Sequence, residues 1–281
     1  MKIFKTVKSL QNYLASKKEI INFVPTMGAL HAGHIKLISE AQKNNALVVC
    51  SIFINPKQFN DPGDLKKYPV TTESDIDKLY HAECDILFLP DTQEIYPSGL
   101  EIAKYDLGNL NEILEGKFRS GHFQGVCIVV NRLLSIIKPN NLFLGQKDYQ
   151  QCAVINKLLQ ITNSNCKLII IPTQREKDGL AMSSRNVRLT EIERNEAPEI
   201  YKQLKIIENL RNKVSLSKLK EEFIEALQQK NIQTEYIELA DADDLHLKNN
   251  FDDKDSVLLF AGYLGGVRLI DNIIINGHHV N

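Results

Sequence analysis

The sequence predicts an α/β fold, a doubly wound parallel sheet followed by a smaller α+β domain. Three observations predict it. Short runs rich in Ile, Leu, Val and Phe recur through the first half of the 281-residue chain with little polar alternation, as strands covered on both faces require. Segments with apolar residues at three-and-four spacing lie between them. Beyond about residue 176 the order changes to grouped helices followed by grouped strands.

In chain order, the first-half strands are expected at residues 21–24, 47–54, 85–89, 142–144 and 168–171. Val126, Val129, Val130, Leu133, Leu134 and Ile137 mark one buried helix face. Thr72 and Asp75, three apart, have the spacing of a capping box for a helix over 75–81. In the second half, charged helices are expected over 191–210 and 217–229, with Pro198 beginning or kinking a helix. Strands are expected at 235–239, 256–260 and 267–275. The domains are thus expected at 1–176 and 177–281, divided in the loop 175–186. There is no internal repeat, and His278 and His279 near the end are given no function.

Composition narrows the function classes. Hydrophobic residues are 43% and charged residues 25%, as in globular proteins. With 34 basic and 35 acidic residues the net charge is −1, which disfavours nucleic acid as the main partner. No apolar run approaches the ~20 residues that cross a bilayer, and the N-terminus shows no signal-peptide core. The five cysteines are an odd number, show no CxxC spacing and sit in apolar stretches, so buried reduced thiols are expected. These features predict a cytoplasmic protein with no membrane segment.

Position singles out the polar residues. In open α/β sheets, ligands bind outside the carboxyl ends of the strands, and four expected strands run into unusual polar segments. The first leads to Met27, Gly28, Ala29, Leu30, His31, Ala32, Gly33 and His34. His31 and His34 stand at a helix start, where N–H groups and the helix dipole suit phosphate, and Gly33 removes a Cβ there. Two surface histidines or a metal pair are the alternatives, although the spacing is not that of a His-Glu-x-x-His zinc site. The second segment carries Gln58, the third Gly145, Gln146, Lys147, Asp148 and Gln151, and the fourth Met182, Ser183, Ser184 and Arg185. Arg185 and Lys147 supply cationic donors, Asp148 can accept from ribose hydroxyls, and Gln58 and Gln151 suit a small hydroxylated acid. Taken together the set fits ATP, with its phosphates between the histidines and the Lys147, Ser183, Ser184 and Arg185 group. Such donors suit attack on an α-phosphorus by a carboxylate, which needs no general base. Walker A and GxGxxG patterns are absent.

Long motifs in this order resemble the pantothenate synthetase (pantoate–β-alanine ligase) family. They are Pro25-Thr26-Met27-Gly28-Ala29-Leu30-His31-x-Gly33-His34, Ser51-Ile52-Phe53-Ile54-Asn55-Pro56-x-Gln58-Phe59, Arg119-x-Gly121-His122-Phe123-x-Gly125-Val126, Gly145-x-Lys147-Asp148-x-Gln150-Gln151, and Arg175-Glu176-x-Asp178-Gly179-Leu180-Ala181-Met182-Ser183-Ser184-Arg185-Asn186. The resemblance implies a Rossmann-like fold of the HxGH nucleotidylyltransferase type. It implies condensation of (R)-pantoate with β-alanine, using ATP and Mg²⁺, through a pantoyl adenylate, with AMP and pyrophosphate released. By matching position, residues 27–34, 145–148 and 182–185 are implied to bind ATP, with His34 as proton donor; His31 and Lys147 are expected beside it in catalysis from their own placement and donor chemistry. Gln58 and Gln151 are implied to hold pantoate, Gln58 also β-alanine. A homodimer and a C-terminal domain closing over the ATP are implied as well. Asp75 is offered as a metal contact through water. Val70, Ser120 and Gln174 depart from the family pattern, with Gln174 standing where an aliphatic residue meets the adenine. The chemistry asks of His34 only a donated hydrogen bond, which protonation of the ring would strengthen. Two other functions fit less well. A nucleotidylyltransferase with a phosphorylated acceptor would want Arg or Lys in place of Gln58 and Gln151, and an ATP-sensing module would not need the cationic set.

Overall fold

The computed structural model describes residues 1–276, so His278 and His279 lie outside the described residues. The chain forms two compact units, one of Met1–Gly145 with Val154–Pro172 and one of Gln146–Ala153 with Thr173–Asn281.

The first unit is built on a six-stranded sheet: β1 Lys2–Phe4, β2 Ile21–Thr26, β3 Leu47–Ile52, β4 Ile86–Phe88, β5 Asn141–Gly145 and β6 Lys167–Ile171. The order is β1-β4-β3-β2-β5-β6 and every pairing is parallel. From β2 the chain builds outward to β3 and β4, then returns to the other side of β2 for β5 and β6. The carboxyl ends of β2 and β5 therefore flank a topological switch point, the usual ligand position in such sheets. The sequence pattern does not announce β1. Three residues at an edge, with Ile3 44% exposed, carry too little apolar pattern to mark a strand.

The helices of this unit are α1 Val7–Leu14, α2 Ala32–Ala41, α3 Pro62–Lys66, α4 Thr72–His81, α5 Thr92–Ile95, α6 Leu114–Phe118 and α7 His122–Ile137; α8 Tyr149–Ile161 begins among the residues of the second unit. All six apolar positions of the α7 stripe are buried. Val24, Val48, Cys50 and Leu87 of the strands pack with Leu37, Ile38 and Leu79 of α2 and α4. The expected cap of α4 is corrected. Thr71, not Thr72, is its N-cap residue, with no side-chain cap bond, and the Asp75 carboxylate is directed to another task described below.

The second unit contains α9 Glu191–Glu196, α10 Glu199–Leu210, α11 Leu216–Gln228 and strands β7 Ile232–Asp241, β8 Leu247–Lys248, β9 Ser256–Leu264 and β10 Val267–Ile275. Pro198 separates α9 from α10 and occupies the N-cap position of α10. The sheet is antiparallel in the order β10-β9-β7-β8. Leu204, Ile207, Leu219 and Phe223 of the helices pack on Ile237, Leu258, Phe260 and Leu269 of the sheet. Strand side chains alternate between faces. On β10 the residues Val267, Leu269, Ile273 and Ile275 join this core, while Asp271 takes the position between them.

All five cysteines are free and buried. Among the described residues no helix is long and apolar enough to cross a membrane.

Candidate active site

The chain leaves β2 in a turn that the local sequence allows and a distant acid fixes. Thr26 Oγ1 donates to the Ser51 carbonyl (2.8 Å) and accepts from the Gly28 N–H (3.2 Å). Gly28 has φ +83° and Ala29 φ +50°, both left-handed. Gly28 suits this because it has no Cβ to strain, and one added there would meet Asp75 Oδ2 and Ile52 Cγ2 at 3.1 Å. The turn directs two backbone N–H groups at Asp75: Ala29 donates to Oδ2 (2.8 Å) and Leu30 to Oδ1 (2.7 Å). Thr71 Oγ1 also donates to Oδ1 (3.1 Å), and Lys78 Nζ donates to the Leu30 carbonyl (2.7 Å). Asp75 is 1% exposed, and both its oxygens are spent on the protein. The carboxylate offered as a metal contact is thus the clamp of this loop.

His31 and His34 then cap α2 with their own rings. His31 is the N-cap residue; its Nδ1 accepts from the Gly33 N–H (3.1 Å), and His34 Nδ1 accepts from the His31 N–H (3.2 Å). This is a capping box with imidazoles in place of the usual hydroxyl and carboxamide. A ring nitrogen that accepts an N–H carries no proton, so the hydrogen-bond pattern assigns the proton of each neutral ring to Nε2. In that tautomer each ring can donate from Nε2, and a proton placed on Nδ1 would cost a cap bond. The ring centroids are 4.1 Å apart.

Gln58 belongs to the same unit and sits in the turn after β3. Asn55, 1% exposed, organises that turn. Its Nδ2 donates to Gln58 Oε1 and to the Gly125 carbonyl, both at 3.0 Å, and its Oδ1 accepts from the Lys57 N–H (3.2 Å) and the Tyr96 hydroxyl (2.7 Å). His122 Nδ1 lies 2.8 Å from the Gln58 carbonyl. Gly125 lets this turn approach α7, because a Cβ there would stand 2.1 Å from the Lys57 carbonyl oxygen. The Gln58 amide meets Met27 Sδ at 3.1 Å, so the first unit brings Met27, residues 28–34 and Gln58 together.

Lys147, Gln151 and residues 182–185 belong to the second unit. Gln146–Asp148 form a 3-10 turn ahead of α8, and Lys147 Nζ is 3.8 Å from Asp148 Oδ1. Asn272 of β10, 1% exposed, grips this turn. Its Nδ2 donates to the Gln146 (3.0 Å) and Lys147 (2.9 Å) carbonyls, and its Oδ1 accepts from Gln146 Nε2 (3.1 Å). Gln151 is half-buried in the first turn of α8.

The neighbouring Asp271 grips the other segment. Arg175 Nη1 and Nη2 donate to Asp271 Oδ2 (2.7 Å) and Oδ1 (2.9 Å), while its guanidinium lies 3.6 Å over the Tyr201 ring. Arg175 also donates to the Gly179 and Asn272 carbonyls. Burial pushes the Asp271 carboxyl up, against the pull of Arg175 beside it. Arg175 pairs with Ala181 across a short hairpin that Met182 closes by donating to the Gln174 carbonyl (3.0 Å). Residues 183–185 leave from that hairpin, and Ser183 Oγ accepts from the Arg185 N–H (3.3 Å) to cap Ser184–Arg188. The Gln174 side chain is exposed. Val70 is exposed too, and the Ser120 carbonyl accepts from Asn60 Nδ2 (3.1 Å).

Asn55 and Arg175 stand within the long motifs without a role of their own in the sequence, and Asn55 ahead of Pro56 at a strand end is also an N-cap pattern. Tyr96, Lys78, Asp271 and Asn272 leave no local signal as site builders. Among the described residues no group of three or more His, Cys, Asp or Glu is placed to hold a metal ion.

Comparison with known proteins bears on this geometry. The family model for pantoate-beta-alanine ligase matches residues 2–274. The chain is 45% identical to a pantothenate synthetase of Cytophaga hutchinsonii over 277 residues, covering 96% of this chain and 98% of the relative. It superposes on the pantothenate synthetase of Thermus thermophilus with a TM-score of 0.91 at 35% identity, covering 98% of this chain and 100% of that one. A pantoate-beta-alanine ligase from Francisella tularensis, solved with beta-gamma ATP and beta-alanine, gives a TM-score of 0.82 at 39% identity, covering 98% and 97%.

Proposed function

The chain belongs to the pantoate–beta-alanine ligase family, and we propose that it condenses (R)-pantoate with β-alanine to pantothenate, through a pantoyl adenylate formed from ATP. The observation that carries the mechanistic reading is the imidazole capping box, which makes His31 and His34 neutral Nε2 donors at a helix N-terminus.

In the first step the pantoate carboxylate attacks the α-phosphorus and pyrophosphate departs. Negative charge grows on the phosphoryl oxygens. Donors fixed before the reaction stabilise that charge without reorganising. We assign this role to His31 and His34 Nε2–H and to Lys147, Ser183, Ser184 and Arg185. Met27, Gly28, Ala29 and Leu30 complete the ATP loop, and Gly145, Gln146 and Asp148 are assigned to the ribose side. Gln58 and Gln151 are assigned to the pantoate hydroxyls and carboxylate. In the second step the neutral amine of β-alanine, oriented by Gln58, attacks the acyl carbonyl; the C–N bond forms, AMP leaves with the acyl–oxygen electron pair, and the nitrogen gives up its surplus proton to the departing phosphate or to water. Holding the adenylate in place makes this step effectively unimolecular.

Mg²⁺ keeps several of its waters and is bound largely through substrate phosphates, and we propose that the triphosphate would carry it here. When bound it would neutralise charge on the leaving pyrophosphate. A cytoplasmic homodimer is the assembly we propose, supported by the family likeness and checked by sedimentation. The test of the reaction is pyrophosphate release from ATP with pantoate alone, followed by AMP release on adding β-alanine. Turnover with another acid but not with pantoate would overturn the reading.

A further inference from the structure

We propose that Asp271 and Asn272 of β10 are positioning residues for adenylate formation, one anchor that holds both segments to which the second unit's phosphate donors are attached. The proposal rests on the phosphate-binding reading of Lys147 and residues 183–185 given above.

Three observations carry it. The first is placement. The core face of β10 reads Val267, Leu269, Asp271, Ile273, Ile275, so a carboxylate stands where the alternation calls for an apolar side chain. A buried ion pair such as Asp271 with Arg175 adds little net stability over apolar packing, because desolvation offsets the attraction. Its value lies in direction: the bidentate contact, with Arg175 flat on Tyr201, fixes the hairpin that ends at Met182. The second is satisfaction. Asn272, fully buried on the opposite face, uses both amide hydrogens on the consecutive carbonyls of Gln146 and Lys147 and its oxygen on Gln146 Nε2. An amide that donates to two adjacent carbonyls fixes the peptide plane from which Lys147 projects. The third is coupling. Asp271 Oδ1 accepts from the Asn272 N–H (2.7 Å), and Arg175 donates to the Asn272 carbonyl (3.2 Å), so the two grips form one network. Neither residue needs to touch a substrate. Each acts through the segment it holds.

The test exploits the fact that Asp and Asn have the same shape. Asn272→Asp puts a carboxylate oxygen against two carbonyl oxygens, whereas Asn272→Ala only leaves space. Positioning predicts that Asn272→Ala lowers kcat for pyrophosphate release on the order of tenfold to a hundredfold, with KM for pantoate nearly unchanged. Asn272→Asp is then slower still, although it fills the volume. A purely space-filling role predicts the opposite ranking and would overturn the proposal. Should Asn272→Ala not fold, Asn272→Ser, with one donor in place of two, serves in the same ranking and falls between wild type and Asn272→Asp. The second arm is a double-mutant cycle with Lys147→Ala. If Asn272 acts through Lys147, adding Asn272→Ala to Lys147→Ala costs little further rate. Losses that multiply would overturn the positioning role while leaving Lys147 in its own. Lys147→Ala turning over at the wild-type rate would instead overturn the phosphate reading, and the proposal with it.

Discussion

The loop after β2 in the first unit presents backbone N–H groups that an acid holds, whereas the Lys147 turn of the second presents backbone carbonyls that an amide holds. In the first, Asp75 accepts from Ala29 and Leu30; in the second, Asn272 donates to Gln146 and Lys147. The chemistry of each clamp follows from the backbone it meets. A left-handed turn points two successive N–H groups the same way, which suits a carboxylate acceptor, while a 3-10 turn gripped at its carbonyls calls for a donor. The units differ in a second way. His31 and His34 serve at once as helix caps and as the proposed phosphate donors, so anchoring and chemistry are fused. Lys147 has a separate anchor in Asn272. Fusion ties activity to local stability, and separation lets either be altered alone.

That contrast can be broken by experiment. The largest effects are expected at the donors themselves: His34→Ala and Lys147→Ala each lower kcat by about a hundredfold to a thousandfold, with smaller changes in KM. Only His34→Ala should also lower the unfolding free energy, by about 1 kcal/mol, because it removes half of a capping box. Equal losses of stability in the two variants would erase the distinction. Asp75→Ala removes the acceptor of one buried and one part-buried N–H group and is expected to cost about 3 kcal/mol in denaturant titration. A smaller cost, about 2 kcal/mol, is expected for Gly125→Ala, where a Cβ would crowd the Lys57 carbonyl and shift the Gln58 turn. Raised KM for pantoate would mark that shift. The smallest effect is in thiol labelling. Burial pushes Cys166 up to about 11 and Cys84 and Cys127 up to about 12, and holds Cys50 and Cys152 well above the ordinary range. Only the thiolate reacts, so a raised value means slow alkylation at neutral pH and a rate that climbs as pH rises. Mass spectrometry should find Cys166 of the first unit labelled first and Cys152 of the second far later; rapid labelling of Cys152 in folded protein would contradict the packing.

Strands and helices with strong local pattern were legible in the sequence. The α7 stripe lies buried at every expected position, and β2, β3 and β5 fall at the expected apolar runs because a strand covered on both faces must be apolar throughout, while the edge strand β6 falls at its run with Ile170 43% exposed. The short β1 and β8 were not legible: two or three residues hold no period. Asp75 shows how a local pattern misleads. Its spacing from Thr72 fits a capping box, but two N–H groups 45 and 46 residues away claim its oxygens.

The sequence by itself determined the α/β class, the motif residues and the family likeness, because those reside in local apolar period and in contiguous runs of specific side chains. Only the tertiary structure decided how those residues are held: the imidazoles turned inward as caps with their protons on Nε2, Gln58 steered by Asn55, and Lys147 placed by Asn272 from 125 residues away. The reason is physical. Apolar burial is written in composition and period, which any stretch of chain carries, whereas a buried hydrogen bond depends on which donor meets which acceptor after the chain has closed on itself.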